Sequence, residues 1–166
     1  MKKLIPFVLC LLFALLVDVE AKPAGNDILK NAAKVLAVTY DYTQPDEGEL
    51  VIVGKRMHKG VFEVSQPLTK AQRAKLTKAL TQARELVPPA KCFDPHHGFV
   101  FYDKEDNIIG HLSICLKCAT SEASAQLKVG RLFDWKGLEA ILREVKMPVL
   151  KGNKAYTEAY KKRRVN

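Results

Sequence analysis

Cys92-Phe-Asp-Pro-His96-His97-Gly98-Phe99-Val100-Phe101-Tyr102-Asp103 and, four polar residues later, Ile108-Ile-Gly110-His111-Leu112-Ser-Ile114-Cys115-Leu-Lys-Cys118 are two halves of one predicted hairpin. Gly98–Asp103 and Ile108–Cys115 are rich in β-branched and aromatic residues, and Lys104-Glu105-Asp106-Asn107 between them is a turn cluster. Placing Asp103 opposite Ile108 sets Phe101 against Gly110, Phe99 against Leu112 and His97 against Ile114. That register puts Phe99, Phe101, Ile108, Leu112 and Ile114 on one apolar face, as a half-buried sheet requires. It also lays an aromatic ring over a strand glycine. Cys92, His96 and His97 then arrive at the open end of the hairpin, beside Cys115 and Cys118.

Upstream, Val35–Tyr42 alternates, with Val38, Tyr40 and Tyr42 on one parity. The turn cluster Gln44-Pro45-Asp46-Glu47-Gly48 follows. Glu49–Gly54 is expected to return as the partner strand of a first hairpin, with Val61–Val64 extending the sheet. Ile28–Val35 is a short helix or simply lead-in. Thr69 and Gln72 have capping-box spacing. Leu76, Ala79, Leu80, Ala83, Leu86 and Val87 recur behind them at helical intervals until Pro88-Pro89. A last helix is predicted from an Asp134 N-cap to about Lys146, with Leu138, Ile141, Leu142 and Val145 as its stripe. Ala125–Leu132 is a candidate further strand. The order of strands, helix, strands and helix gives an α+β fold, an antiparallel sheet built from two hairpins packed against two helices. There is no internal repeat.

The ends of the 166-residue chain read differently from its middle. Lys2-Lys3 precedes an apolar run, Leu4–Val17, shorter than the roughly 20 residues that span a bilayer. Val19 and Ala21 suit the small-residue pockets of a signal peptidase, so residues 1–21 are expected to be a signal peptide cut before Lys22. Cys10 is lost with it. A single domain over 22–150 and a basic C-terminal tail over 151–166 follow, with no integral membrane segment in the mature chain. The expected location is the periplasm or the cell exterior. Net charge is +9, and Lys151–Asn166 carries six basic residues against one acid. Such a tail either only solubilises or engages an anionic polymer or surface.

Three cysteines remain after cleavage: Cys92, Cys115 and Cys118. In an oxidising compartment an odd number leaves one thiol over unless a metal or second chain uses it. Three readings compete. Cys92, His97, Cys115 and Cys118 form a Cys₃His set for tetrahedral zinc, or, being sulfur-rich, for copper(I). A structural disulfide, drawn between Cys115 and Cys118, leaves Cys92 free. A redox-active CxxC is disfavoured because Ala119–Gln126 lacks the apolar periodicity of a helix that would lower the first thiol's pKa. His58 and His111 have no recognisable partner and are expected to be structural or solvated.

Cys92-x-x-Pro95-x-His97-x-x-x-Phe101-Tyr102-Asp103, followed by Ile114-Cys115-x-x-Cys118, resembles a group of uncharacterised secreted bacterial proteins with the same local pattern. The resemblance covers Cys92–Cys118 alone. It implies that His97, rather than His96, belongs with the cysteines, and that the setting is extracytoplasmic; it brings no activity with it. Elsewhere there is no Gly-rich phosphate loop, no paired-carboxylate motif and no HExxH, and no nucleophile–base–acid set is evident in the sequence. The expectation is a non-enzymatic exported domain whose Cys/His cluster binds a metal. The alternatives are a thiol–disulfide redox protein or a disulfide-stapled interaction module.

Overall fold

The structure, a computed structural model, describes residues 25–45, 48–82, 90–127, 129 and 133–164. The expected signal peptide and its cut site, the last turns of the 69–87 helix and part of the candidate strand 125–132 lie outside these residues. The elements are α1 (Gly25–Asn31), β1 (Lys34–Tyr40), β2 (Ile52–Val53), β3 (Arg56–Met57), β4 (Val61–Val64), α2 (Lys70–Thr81), β5 (His97–Tyr102), β6 (Ile108–Cys115), β7 (Thr120–Ala123), α3 (Trp135–Glu144) and α4 (Asn153–Arg164).

The five-stranded antiparallel sheet runs β4-β1-β5-β6-β7. The fold is α+β, as the order of elements requires. Because side chains alternate across a strand, the sheet has two covered faces. Val35, Ala37, Phe99, Phe101, Leu112 and Ile114 face the helices, meeting Ile28 and Leu29 of α1, Leu76 and Leu80 of α2, and Leu138, Ile141 and Leu142 of α3. Val38, Tyr40, Val100 and Tyr102 face the other way, onto Val51 and Ile52.

The central hairpin keeps the predicted pairs His97↔Ile114, Phe99↔Leu112 and Phe101↔Gly110, but not Asp103↔Ile108. A bulge between Phe101 and Tyr102 pairs Tyr102 with Ile108, so Ile108 turns to the second face and Ile109 packs against the helix-side core. Asp103 is taken up by the turn: its carboxylate accepts from Glu105 N and Asn107 N.

The first hairpin is corrected. β1 pairs with β4 and β5, whereas Ile52–Val53 pairs only with Arg56–Met57. Gly54, at φ 64°, allows a two-residue turn there. The second sheet face is itself apolar, so Val51 and Ile52 act as its cover instead of adding a strand.

The two predicted helices form with their predicted caps. Thr69 and Gln72 close a reciprocal capping box, and the Asp134 side chain accepts from Gly137 N. Ala125 and Gln126 are in a turn, and the strand in this region is β7, which starts at Thr120 and ends at Ala123. The basic segment expected as a tail is largely helix α4. Tyr156 and Tyr160, four apart on one helical face, are both buried, and Arg163 pairs with Glu63 of β4.

Candidate functional site

The approach to β5 and the β6–β7 turn are bound together covalently. Cys92 and Cys118 form a disulfide across 26 residues of sequence, with Cα atoms 5.9 Å apart. Two hydrogen bonds flank it: Ala90 N donates to Cys118 O at 3.0 Å, and Thr120 Oγ1 donates to Cys92 O at 3.0 Å. The disulfide expected between Cys115 and Cys118 is therefore corrected. Cys118 reaches across to Cys92, and Cys115 keeps its thiol, buried, with Sγ accepting from Cys118 N at 3.2 Å.

Register separates His97 from Cys115. His97 stands opposite Ile114 and shares its helix-facing side, whereas Cys115, the next residue, points to the other face. The His97 ring is fully buried and its Nε2–H donates to Pro148 O at 2.9 Å. Burial lowers its pKa to about 4, so the ring is neutral near pH 7. Of the predicted ligand set Cys92, His97, Cys115 and Cys118, the structure joins Cys92 to Cys118 and sets Cys115 against the Cys118 backbone. It engages His97 with residue 148.

Asp94 takes the place the sequence suggested for an imidazole. Cys92, Asp94 and Cys118 present ligand atoms all within 4.8 Å of one another, a group that could hold a metal ion. The Asp94 carboxylate accepts from Tyr42 OH at 2.8 Å, and Tyr42 OH accepts in turn from Asn153 Nδ2 at 2.9 Å. Lys117 Nζ lies 4.0 Å from its other oxygen. Burial, then the adjacent carboxylate, raises the Tyr42 phenol to about 12, so it stays a donor at neutral pH.

Beyond Asn153 the network reaches His96, whose Nε2 lies 3.2 Å from Asn153 Oδ1 and whose Nδ1 lies 3.1 Å from Tyr40 O. The His96 ring stacks on Tyr156 of α4 with centroids 3.7 Å apart. Burial holds His96 below the usual imidazole range, against the opposing pull of Asn153, Tyr40 O, Asp41 and Asp94. A cavity of about 50 Å³ remains between Asp94, His96, Lys117, Asn153 and Tyr156, room for a water or two.

His58, for which the sequence suggested no partner, is buried. Its Nδ1 accepts from Gly60 N at 2.9 Å and its Nε2 lies 3.0 Å from Gly48 O, so the ring is held on both sides. Asp94, Tyr42, Asn153 and Tyr156 were not identified from the sequence. Asp94 carried a signal, since residues two apart in extended chain project to one side and Cys92-x-Asp94 therefore shares a direction.

Among the described residues no helix is long and apolar enough to cross a membrane. Comparison with protein-family models, curated proteins and solved structures returned no match.

Proposed function

We propose that this is an exported, non-enzymatic domain in which the Cys92–Cys118 pair is a reducible staple whose reduced form binds zinc together with Asp94. The observation that carries this reading is the convergence of two sulfurs and one carboxylate oxygen within 4.8 Å. Reduction by a dithiol donor adds two electrons and two protons to the disulfide. Binding of Zn²⁺ then displaces the two thiol protons. Two thiolates and one carboxylate leave a fourth tetrahedral position for water or an outside ligand. The hard carboxylate oxygen favours zinc over copper(I). Tyr42, donating to Asp94, orients that ligand. An exported setting accords with the oxidised pair.

Elemental analysis with a thiol count tests this. Oxidised protein should hold no zinc and, once denatured, show the single thiol of Cys115. Protein reduced with a phosphine should take up about one zinc per chain, by the ligand count. Asp94→Asn should weaken uptake at least about tenfold, while Cys115→Ser and His97→Gln leave it unchanged. Reduced protein that takes up no zinc, or uptake abolished by Cys115→Ser, would overturn the reading.

A further inference from the structure

The buried thiol beside the staple has a use that the metal reading does not touch. Cys115 and Thr120 flank a tight turn, residues 116–119, which they close as a pair; Cys118 lies within it, and Ala119 takes φ 51°. The turn folds back so far that Cys118 N sits 3.2 Å from Cys115 Sγ. Cys118 thus has one sulfur neighbour to which it is bonded, Cys92, and a second sulfur held against its own backbone. Both Cys115 and Cys118 are almost completely buried, whereas Cys92 is only half-buried.

We propose that the three cysteines form an internal thiol–disulfide exchange relay centred on Cys118. The Cys115 thiol gives its proton to water, and its thiolate attacks Sγ of Cys118. The Cys115–Cys118 bond forms as the Cys118–Cys92 bond breaks. Cys92 departs as a thiolate and takes up a proton from water. One thiol and one disulfide enter, and one thiol and one disulfide leave, so no oxidant or reductant is consumed. The exchange moves the free thiol from a buried position to a half-exposed one beside Asp94. In that form the chain can offer Cys92 to an external disulfide, which is the thiol–disulfide activity the relay would provide. A bridge in this direction also removes the covalent tie between the 90–92 segment and the β6–β7 turn, leaving the hydrogen bonds at Ala90 and Thr120. The relay requires no metal and does not rest on the zinc reading.

The test uses the oxidised wild-type protein with chelator present throughout, so loss of metal binding leaves its outcome unaffected. Native protein is held at neutral pH with N-ethylmaleimide, quenched with acid and mapped by unreduced peptide mass spectrometry. The expected product carries the label on Cys92 and a Cys115–Cys118 bridge. Label on Cys115 with Cys92–Cys118 intact, or no label without denaturant, would overturn the proposal. A variant arm checks the route. Cys92→Ala exposed to glutathione disulfide should lose both thiols to a Cys115–Cys118 bridge, whereas glutathione adducts without a bridge count against it. Cys118→Ala should form no Cys92–Cys115 bridge; such a bridge would show that the route does not pass through Cys118.

Discussion

His97 is the residue at which burial has the clearest energetic consequence. Its ring is closed off from water, and its pKa is lowered to about 4 from the ordinary 6.5. The folded state therefore binds the proton less readily than the unfolded chain does. Its contribution is fully present above about pH 6.5 and is lost as pH falls towards 4. The shift corresponds to about 3 kcal/mol across that window. Urea unfolding midpoints should fall on acidification from pH 7 to 4.5, and His97→Gln, which keeps a donor for Pro148 O, should flatten the curve. An equally steep curve in the variant would place the acid sensitivity elsewhere. Burial shifts His96 and His111 in the same direction, so a residual slope is expected. Gly60 shows a steric limit at the same scale. A Cβ there would collide with the Asp41 carbonyl oxygen and press on His58 Nδ1. The first obstacle is backbone and cannot swing away, so Gly60→Ala should cost about 3 kcal/mol or more in a denaturant titration. A loss below about 1 kcal/mol would show that the 58–60 turn yields.

At the level of elements, what the sequence disclosed depended on how local the determining interaction was. The capping box at Thr69–Gln72 and the Asp134 cap involve residues three apart, and both were legible. So was most of the central hairpin, because pairing inside it follows from one alternating pattern. The bulge at Tyr102 was not, since it reflects competition between a turn that recruits Asp103 and two faces that both need apolar cover. The partners of β1 were also hidden: β4 and β5 are chosen by the whole sheet, and the nearer segment 49–54 is drawn off to the second face. Helix α4 was concealed by its charge. Its lysines and arginines suggested a tail, yet Tyr156 and Tyr160 supply a buried stripe one helical turn long. Tyr156 also stacks on His96, and its OH accepts from Leu150 N. Tyr156→Ala should therefore destabilise by about 3 kcal/mol in thermal or urea unfolding, in the range of large aromatic truncations. Removal of residues 161–166 should cost no more than about 1 kcal/mol, because among the described residues it deletes the partly exposed Arg163–Glu63 pair. If α4 also engages an anionic polymer through exposed Lys154, Lys161 and Lys162, that association should fade as salt rises from low to physiological strength.

At the scale of the whole molecule, the disulfide ties the approach to β5 to the β6–β7 turn, beside the hydrogen bonds at Ala90 and Thr120. The segment carrying Cys92, Asp94 and His96 has no regular structure of its own and enters β5 directly. Cys118 lies in the turn just past the end of β6, so the staple closes a loop containing the entire central hairpin. The sequence placed these cysteines near one another, but the bridge expected from it joined Cys115 to Cys118 and left Cys92 free, a wrong choice of partners. That choice depends on which side of the sheet each sulfur leaves. Cys115 follows Ile114 onto the face away from His97, and the turn then carries Cys118 to Cys92. With the bridged positions 26 apart in sequence, the chain-entropy model gives about 3–4 kcal/mol of stabilisation from restricting the unfolded chain. A Cys92→Ala, Cys118→Ala double variant should lose roughly that amount, read as a lower urea midpoint with a larger m-value, because its unfolded state is more expanded. Reducing the wild-type protein in chelator should produce nearly the same change. If zinc is then supplied to reduced wild-type protein, the midpoint should rise again, since a ligand that binds only the folded state stabilises it by mass action. The double variant should show no such recovery. Recovery in the double variant would move the metal away from Cys92 and Cys118. A midpoint unaffected by reduction would mean that the hydrogen bonds at Ala90 and Thr120 suffice to hold the site.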